Sequence, residues 1–461
     1  MKGLSSISAS FTLSEAKSFW RNDPHYYVPM NTYTEDLLKA GEQAGVYKIK
    51  ELCKVAKIID VTENPENKSE FSYIDIGTNK GNLLAIAYKL KGEEAPSRAR
   101  RKVRKGDLLT AVSGSQTGKE EHVAVLVPEE LDGGIASTGF EVIRPLKIDP
   151  YYLLALFNHP IIKKQIFRRL RGSAIPAVWR RDLRNILIPV SRRLIEMGSK
   201  LKQAIEAKIE AEKKRKEIVE IFERNLGNIE VRKLGGYVFK LSHCLEAGRL
   251  DPHFYYPEFL KVLDLLNNSG FEIKRMSELV EFSKETTNPS NTTQFVYVEI
   301  ADVDLRYGFI SGHSIIKGSN APSRARKIIR EGAILIPLTR PYRGAIAVVD
   351  SRYNDAITTT GFSVSYPKSD SLVDSYYLCA FLKSPYGLIQ LIQRMSNANY
   401  PAILEDDIAD ILVPILPNDI KIVSDNMKEI VDNLLLSKQL YFQAMEELNN
   451  LLGLNAGGDK S

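Results

Sequence analysis

The chain repeats itself at the scale of a domain. Ala95-Pro96-Ser97-Arg98-Ala99-Arg100 returns letter for letter as Ala321-Pro322-Ser323-Arg324-Ala325-Arg326, 226 positions later. Other signals return in the same order: Asp23-Pro24-His25 as Asp251-Pro252-His253, Thr138-Gly139-Phe140 as Thr360-Gly361-Phe362, Tyr151-Tyr152-Leu153 as Tyr376-Tyr377-Leu378, and Pro176-Ala177 as Pro401-Ala402. All these offsets fall between 222 and 228. Solenoid repeats have periods of about 20–50 residues, so this period is that of a whole domain. Two copies of one domain in one polypeptide imply a ligand that offers two similar places.

With 461 residues the chain can bury two independent cores, and 44% hydrophobic with 26% charged residues is an ordinary globular balance. Met1 to Ser18 is polar and lacks a signal-peptide core, and no apolar run approaches the ~18–20 residues of a membrane span. Cys53, Cys244 and Cys379 are scattered and odd in number, which argues against a disulfide framework. The expectation is a cytoplasmic protein with no membrane contact.

The net charge of +6 is modest, but the positive charge is concentrated. Arg98, Arg100, Arg101, Lys102, Arg104 and Lys105 follow one another without an acid between them. Arg168, Arg169, Arg171, Arg180, Arg181 and Arg184 are opposed by Asp182 alone. The second copy has Arg324, Arg326, Lys327 and Arg330, then Arg340 and Arg343. The guanidinium fork donates two hydrogen bonds at once and so suits phosphates. A solvated charged face is the plain alternative; the return of one cluster at the same place in both copies favours a nucleic-acid surface.

Each copy is predicted to place strands first and a helix later. Phe71 to Ile76 and Phe295 to Ile300 are strand-like, as are Asp107 to Val112, His122 to Val127, Ala333 to Leu338 and Ala345 to Val349. A single helix is expected from about Tyr151 to Arg169 and from Tyr376 to Arg394. Each copy then ends in a long helix. Ile420, Met427, Leu434, Tyr441 and Leu448 stand seven apart, with Val423, Ile430, Ala444 and Leu451 in the alternate seam. The first helix keeps this register through Leu194, Leu201 and Phe222, with Met197, Ala204, Ala211 and Ile218 in the alternate seam, but carries Lys208 and Arg215 in the seam, so weaker packing is expected at its middle. Leu226-Gly227 and Leu452-Gly453 are matching stops. The fold class is α+β: two similar mixed domains separated by two long antiparallel coiled-coil helices, a pseudo-two-fold tandem repeat. The expected domains are 1–190, a spacer helix over 191–227, 228–415, a second spacer helix over 416–453, and a flexible tail over 454–461.

Several catalytic signals fail on inspection. Ser113-Gly114-Ser115-Gln116-Thr117-Gly118-Lys119 has the wrong glycine spacing for a phosphate-binding loop, and Glu120 replaces the required Ser or Thr. No Asn-Pro-Pro-Tyr or Pro-Cys methyltransferase centre occurs. The six histidines and three cysteines show no metal-ligand spacing, and His25 and His253 mark a structural turn. Glu206-Ala207-Lys208 and Glu272-Ile273-Lys274 have no twins in the other copy, so catalysis by either is not expected.

The chain resembles the specificity subunits of type I restriction-modification enzymes. The residues that carry this are the tandem plan, the APSRAR stretch running into Lys105-Gly106-Asp107-Leu108-Leu109, and Ala136-Ser137-Thr138-Gly139-Phe140. Gly172-Ser173-Ala174-Ile175-Pro176-Ala177 then leads through Asp182-Leu183 to Ile186-Leu187-Ile188-Pro189, and Asn397-Ala398-Asn399-Tyr400-Pro401-Ala402 leads through Asp407-Ile408 to Ile411-Leu412-Val413-Pro414. The Pro-rich, Gln-containing opening of the long helix is replaced by Val190-Ser191-Arg192-Arg193-Leu194 and Ile415-Leu416-Pro417-Asn418-Asp419. The resemblance implies two target-recognition domains, each reading one half of a split target in double-stranded DNA. It implies docking of two methyltransferase subunits on the helices, with restriction or translocase subunits as further partners that it allows. No cofactor is expected in this chain; S-adenosylmethionine, ATP and Mg belong on the partners.

The expected DNA-binding residues divide by role. Arg98, Arg100, Arg101, Lys102 and Arg104, with Arg324, Arg326, Lys327 and Arg330, are expected to grip phosphates. Ser115, Gln116, Thr117 and Lys119, with Arg340, Tyr342 and Arg343, lie on loops that differ between the copies and are expected to read bases. Two other classes stay open here: a single-chain DNA methyltransferase or nuclease with two recognition domains, and a scaffold that does not bind DNA.

Overall fold

The computed structural model describes residues 45–55, 69–172, 175–190, 192–229, 244, 249–396 and 400–451. Asp23-Pro24-His25, His243, Leu452-Gly453 and the tail lie outside them, as do Ser173-Ala174 and Asn397-Ala398-Asn399. The chain divides into unit 1, residues 1–207 with 436–461, and unit 2, residues 208–435. The division runs through both long helices, so each helix belongs partly to each unit.

Unit 1 contains β1 (Gly45–Lys48), α1 (Ile49–Leu52), β2 (Cys53–Val55), β3 (Phe71–Ile74), β4 (Tyr88–Leu90), β5 (Ala99–Lys102), β6 (Leu108–Ala111), β7 (Ala124–Leu126), β8 (Ile135–Ser137), β9 (Phe140–Pro145), α2 (Pro150–Asn158), α3 (Pro160–Arg168), α4 (Arg180–Leu183) and β10 (Leu187–Val190). The first long helix is α5 (Arg192–Leu226). Unit 2 contains α6 (Pro257–Asn267), β11 (Glu272–Arg275), α7 (Met276–Leu279), β12 (Val280–Phe282), β13 (Phe295–Val298), β14 (Ser314–Ile316), β15 (Ala325–Ile329), β16 (Ile334–Pro337), β17 (Ala347–Val348), β18 (Ala356–Thr359), β19 (Phe362–Pro367), α8 (Ser375–Lys383), α9 (Pro385–Arg394), α10 (Glu405–Ala409) and β20 (Leu412–Ile415). The last helix is α11 (Ile420–Leu451).

Strand order confirms the duplication. Unit 1 has sheets β2-β9-β6-β7 and β4-β3-β8-β5 with the pair β1-β10; adding ten to each strand number gives the three sheets of unit 2. Every pairing is antiparallel except β3 with β8 and β13 with β18. Both copies carry a bulge between the first and third residues of β5 or β15. The central strands β6 and β16 are buried at every residue, as short apolar runs between two covered faces should be.

Side chains repeat the plan. The Tyr152 hydroxyl donates to the Pro189 carbonyl, and the Tyr377 hydroxyl donates to that of Pro414 at 2.7 Å. The Gln165 amide closes both hydrogen bonds of Leu187, at 2.8 and 2.9 Å, and Gln390 does the same for Leu412 at 2.9 Å each.

The single helix expected from Tyr151 to Arg169 is two helices, and likewise in the second copy. Pro160 and Pro385 have no N–H to donate, and a proline ring collides with the preceding turn. The chain breaks and restarts, with the side chains of His159 and Ser384 accepting from Ile161 N–H and Gly387 N–H as N-caps. Asp251-Pro252-His253 is a capped 3-10 turn, with the Asp251 carboxylate accepting from Phe254 N–H at 3.1 Å.

Helix α5 has 35 residues and α11 has 32, each about 50 Å long at ~1.5 Å per residue. In unit 2 they run antiparallel: Lys214 pairs with Glu429 at 3.1 Å and Arg224 with Asp419 at 3.0 Å, the partner number falling as the first rises. Ala211, Ile218 and Phe222 share a core with Val423, Met427, Ile430 and Leu434, the expected heptad seams. In unit 1, Met197, Leu201 and Ala204 share a core with Ala444 and Leu448, and Lys200 meets Glu447 at 2.6 Å. Helix α5 stops at Gly227, whose φ of 86° is a left-handed cap and whose N–H donates to Glu223 at 2.8 Å.

At the middle of α5 the apolar core gives way between Ile205 and Ala211, and the basic seam residue Arg215 is paired there. Glu212 takes two hydrogen bonds from Arg215 (3.1 and 2.9 Å), two from Arg306 (3.1 and 2.8 Å) and one from the Tyr307 hydroxyl (3.1 Å). Burial alone would raise this carboxyl; the two guanidiniums more than offset it and hold it at about 2. The seam charge fastens the loop 304–307 to the helix. Among the described residues, no helix is long and apolar enough to cross a membrane.

Candidate nucleic-acid interface

Motifs far apart in the sequence meet along one rim of each unit. In unit 1 the APSRAR turn closes through Ala99 N–H to the Pro96 carbonyl (2.8 Å) and Arg100 Nε to the Ser97 carbonyl (3.1 Å). Thr138 N–H donates to Arg98 O at 2.8 Å, Val112 N–H to Gly139 O at 2.9 Å, Val178 N–H to Val112 O at 2.8 Å and Gly114 N–H to Pro176 O at 3.1 Å. Unit 2 repeats this chain of bonds: Ala325 to Pro322 (2.9 Å), Arg326 Nε to Ser323 (3.1 Å), Thr360 to Arg324 (2.9 Å), Leu338 to Gly361 (2.8 Å), Ile403 to Leu338 (2.9 Å) and Arg340 to Pro401 (2.8 Å). The basic turn, the Thr-Gly turn, the divergent loop and the Pro-Ala segment are therefore one strip held by backbone. Its side chains are free to differ.

The rim exposes Arg98 and Arg324 on the basic turns, Ser115 and Lys119 on the unit 1 loop, and Tyr342 and Arg343 on the unit 2 loop. Arg100, Lys102, Gln116, Arg326 and Arg340 are half-buried there. Arg340 sits at φ 51° and ψ 52°, a left-handed conformation that costs a non-glycine residue about 1–2 kcal/mol.

Two expected contacts, Arg101 and Thr117, are corrected by their burial, and two others, Lys327 and Arg330, are paired with carboxylates. Arg101 is only 6% exposed, because the pleat alternates side chains and turns this one to the core face with Ala99. There it meets Glu141 at 3.2 Å, and Arg180 reaches the same carboxylate at 2.8 Å. Burial pushes the Glu141 carboxyl up and the Arg101 guanidinium down. Lys327, its equivalent, meets Glu405 at 2.9 Å, which also accepts from the Ser363 hydroxyl at 3.1 Å. Both copies thus hold a cation on the same strand against a carboxylate, carried by β9 in one and by α10 in the other. Thr117 is buried under its loop. Arg330 is neutralised by Glu285, through bonds of 2.5 and 2.8 Å, and by Asp355 at 2.9 Å.

Arg104 and Arg330 also stand at the far ends of β5 and β15, up to ~20 Å along the strand from Arg98 and Arg324. The structure does not bring them to the rim.

The unit 1 loop is pinned from below by a neutral histidine. Gly118 N–H donates to His122 Nδ1 at 3.2 Å, so Nε2 carries the proton and faces Thr110 Oγ1 at 3.0 Å. Burial first, and the charge of Lys163 second, depress this imidazole to about 3. Gly118 has φ 73°, and a Cβ there would lie 2.6 Å from the Phe167 backbone. Only glycine fits.

Sequence reasoning missed part of the rim. Trp179 is half exposed, with the Arg171 guanidinium 4.5 Å and that of Arg181 4.7 Å from its ring centroid. Arg171 is also fixed to Asp182 at 3.2 Å. In unit 2, Tyr400 is 74% exposed with Arg340 5.6 Å from its ring. In unit 1 the available signal was Trp179 beside Arg180 and Arg181, two residues after the Pro176-Ala177 pair; in unit 2 Tyr400 has no arginine within five residues and meets Arg340 only through the fold.

The chain is thus a tandem protein of two similar mixed α/β units and long helices, with one basic and aromatic rim per unit. No protein-family model matches it, and no curated protein does so significantly. Solved structures are similar to it. The HsdS subunit from Thermoanaerobacter tengcongensis aligns with 91% of this chain and 97% of its own at 20% identity and a TM-score of 0.31. A chain from a structure of complex assembly and conformational transition in the type I R-M system covers 91% and 98% at 21% identity and 0.32. The type I restriction-modification S subunit from M. genitalium covers 90% and 94% at 14% identity and 0.38.

Proposed function

We propose that this chain is a DNA-recognition subunit of a type I restriction-modification assembly. Each unit reads one half of a bipartite duplex target with its rim, and the long helices dock two methyltransferase subunits in the cytoplasm. Bond-making belongs to those partners, together with S-adenosylmethionine, ATP and Mg. The observation that carries this reading is the rim itself: one hydrogen-bonded frame built twice, with arginines at the same turn and different side chains on the reading loops. A constant frame with variable tips is what two related half-sites of different sequence require.

The test is duplex binding and methyl transfer by the purified full chain. Random duplex should be bound weakly and lost at moderate salt, and methyl transfer should need an added methyltransferase. Methyl transfer by the chain alone, or no retention of duplex at low salt, would contradict the proposal.

A further inference from the structure

Resting on that proposal, we infer that Arg181, held by Trp179, is a further base-reading side chain of unit 1 beside its loop, and that unit 2 places its counterpart on a different limb of its rim. Trp179 caps the start of α4 and stays half exposed between two guanidiniums. Arg171 is bound to Asp182, and Arg180 to Glu141. Arg181 alone of the three is exposed, and its guanidinium has no carboxylate partner among the described residues. Stacking on the indole holds a long side chain that would otherwise lose its freedom on binding, so its fork is preorganised. A preorganised fork matches the O6 and N7 acceptors of guanine.

Unit 2 cannot use the same limb in this way. Where unit 1 has Trp179-Arg180-Arg181, unit 2 has Leu404-Glu405-Asp406, with Asp406 exposed and Glu405 spent on Lys327. An exposed carboxylate repels phosphates and donates nothing to guanine. The aromatic and arginine pair is rebuilt instead from Tyr400 and Arg340, with Arg340 on the loop and in a strained conformation. Strain kept at a rim position marks a site where the backbone serves contact more than stability.

The test first enriches a duplex from a randomised pool with the full wild-type chain, then measures affinity for it and for duplexes altered in one half-site, over a range of salt. For Arg181→Ala, discrimination at one guanine of the unit 1 half-site should fall about 5- to 150-fold. The other half-site and the salt dependence should be unchanged. Arg181→Lys, which keeps the charge and loses the fork, should not restore discrimination. If Arg181→Ala weakens all duplexes equally and lowers the salt slope by about one, the residue is a phosphate contact and the inference is overturned. Unchanged binding overturns it too. A wild-type chain that prefers no duplex overturns the functional proposal itself, which the wild-type arm reveals before any variant is made.

Discussion

Replacing Glu141 by serine removes the one carboxylate between two guanidiniums. Arg101 is 7% exposed at its side chain and Glu141 4%, and Arg101 Nε and Nη1 already have no hydrogen-bond partner among the described residues. Taking one partner from a buried ion pair costs about 3–5 kcal/mol, because the other charge stays behind. Such a loss is a large share of the ~5–15 kcal/mol that holds a typical domain. The second unit supplies the remedy: there the strand cation is Lys327, a serine (Ser363) stands where Glu141 does, and Glu405 stands where Arg180 does. Adding Arg180→Glu to Glu141→Ser gives unit 1 the arrangement of unit 2. Urea unfolding should show Glu141→Ser down by about 3–5 kcal/mol and the double variant within ~2 kcal/mol of wild type. A double variant as unstable as the sum of its parts would refute the claim that both units contain the same strut with its carboxylate moved.

Other outcomes follow from single residues. Arg340→Gly should relieve the left-handed backbone and raise stability by up to about 1 kcal/mol while weakening DNA binding; a fall in the unfolding midpoint would contradict this. Arg324→Ala should lower the salt slope of DNA binding by about one, whereas Arg330→Ala should leave it unchanged, since Glu285 and Asp355 neutralise that guanidinium. His122, held near 3 against an ordinary 6.5, contributes stability that is complete above pH 6.5 and falls as the pH drops towards 3, by roughly 2 kcal/mol at pH 5. Glu212, held near 2 against an ordinary 4.5, contributes stability that is lost only below pH 4.5. Hydrogen exchange from pH 7 to 4 should therefore loosen 113–122 of unit 1 before 304–307 of unit 2; simultaneous loosening would contradict the assignment.

Much of the plan was legible because duplication turns weak motifs into an ordered series. APSRAR, Thr-Gly-Phe and Pro-Ala each say little, yet in the structure they are adjacent lengths of one rim. The heptads of α11 were legible because a seam of apolar residues seven apart has few other uses. Charge clusters were less informative, since six basic residues within eight do not say which face of the pleat each takes. The small Ala99 two residues earlier was the clue that Arg101 faces the core. The paired glutamines Gln165 and Gln390 and the helix breaks at Pro160 and Pro385 were readable from spacing but outweighed by the apolar pattern. Trp179 was hidden because the sequence does not show that Arg181 beside it folds onto its ring, nor that Arg171, eight residues earlier, returns to the other side.

Selection of the full chain on a randomised duplex pool tests the duplication's meaning most directly. Two separated blocks of fixed sequence with a spacer of constant length should be enriched, Arg340→Ala blurring one block and Arg181→Ala the other. Enrichment of one continuous block, or blurring of both by either variant, would contradict two independent readers in one polypeptide.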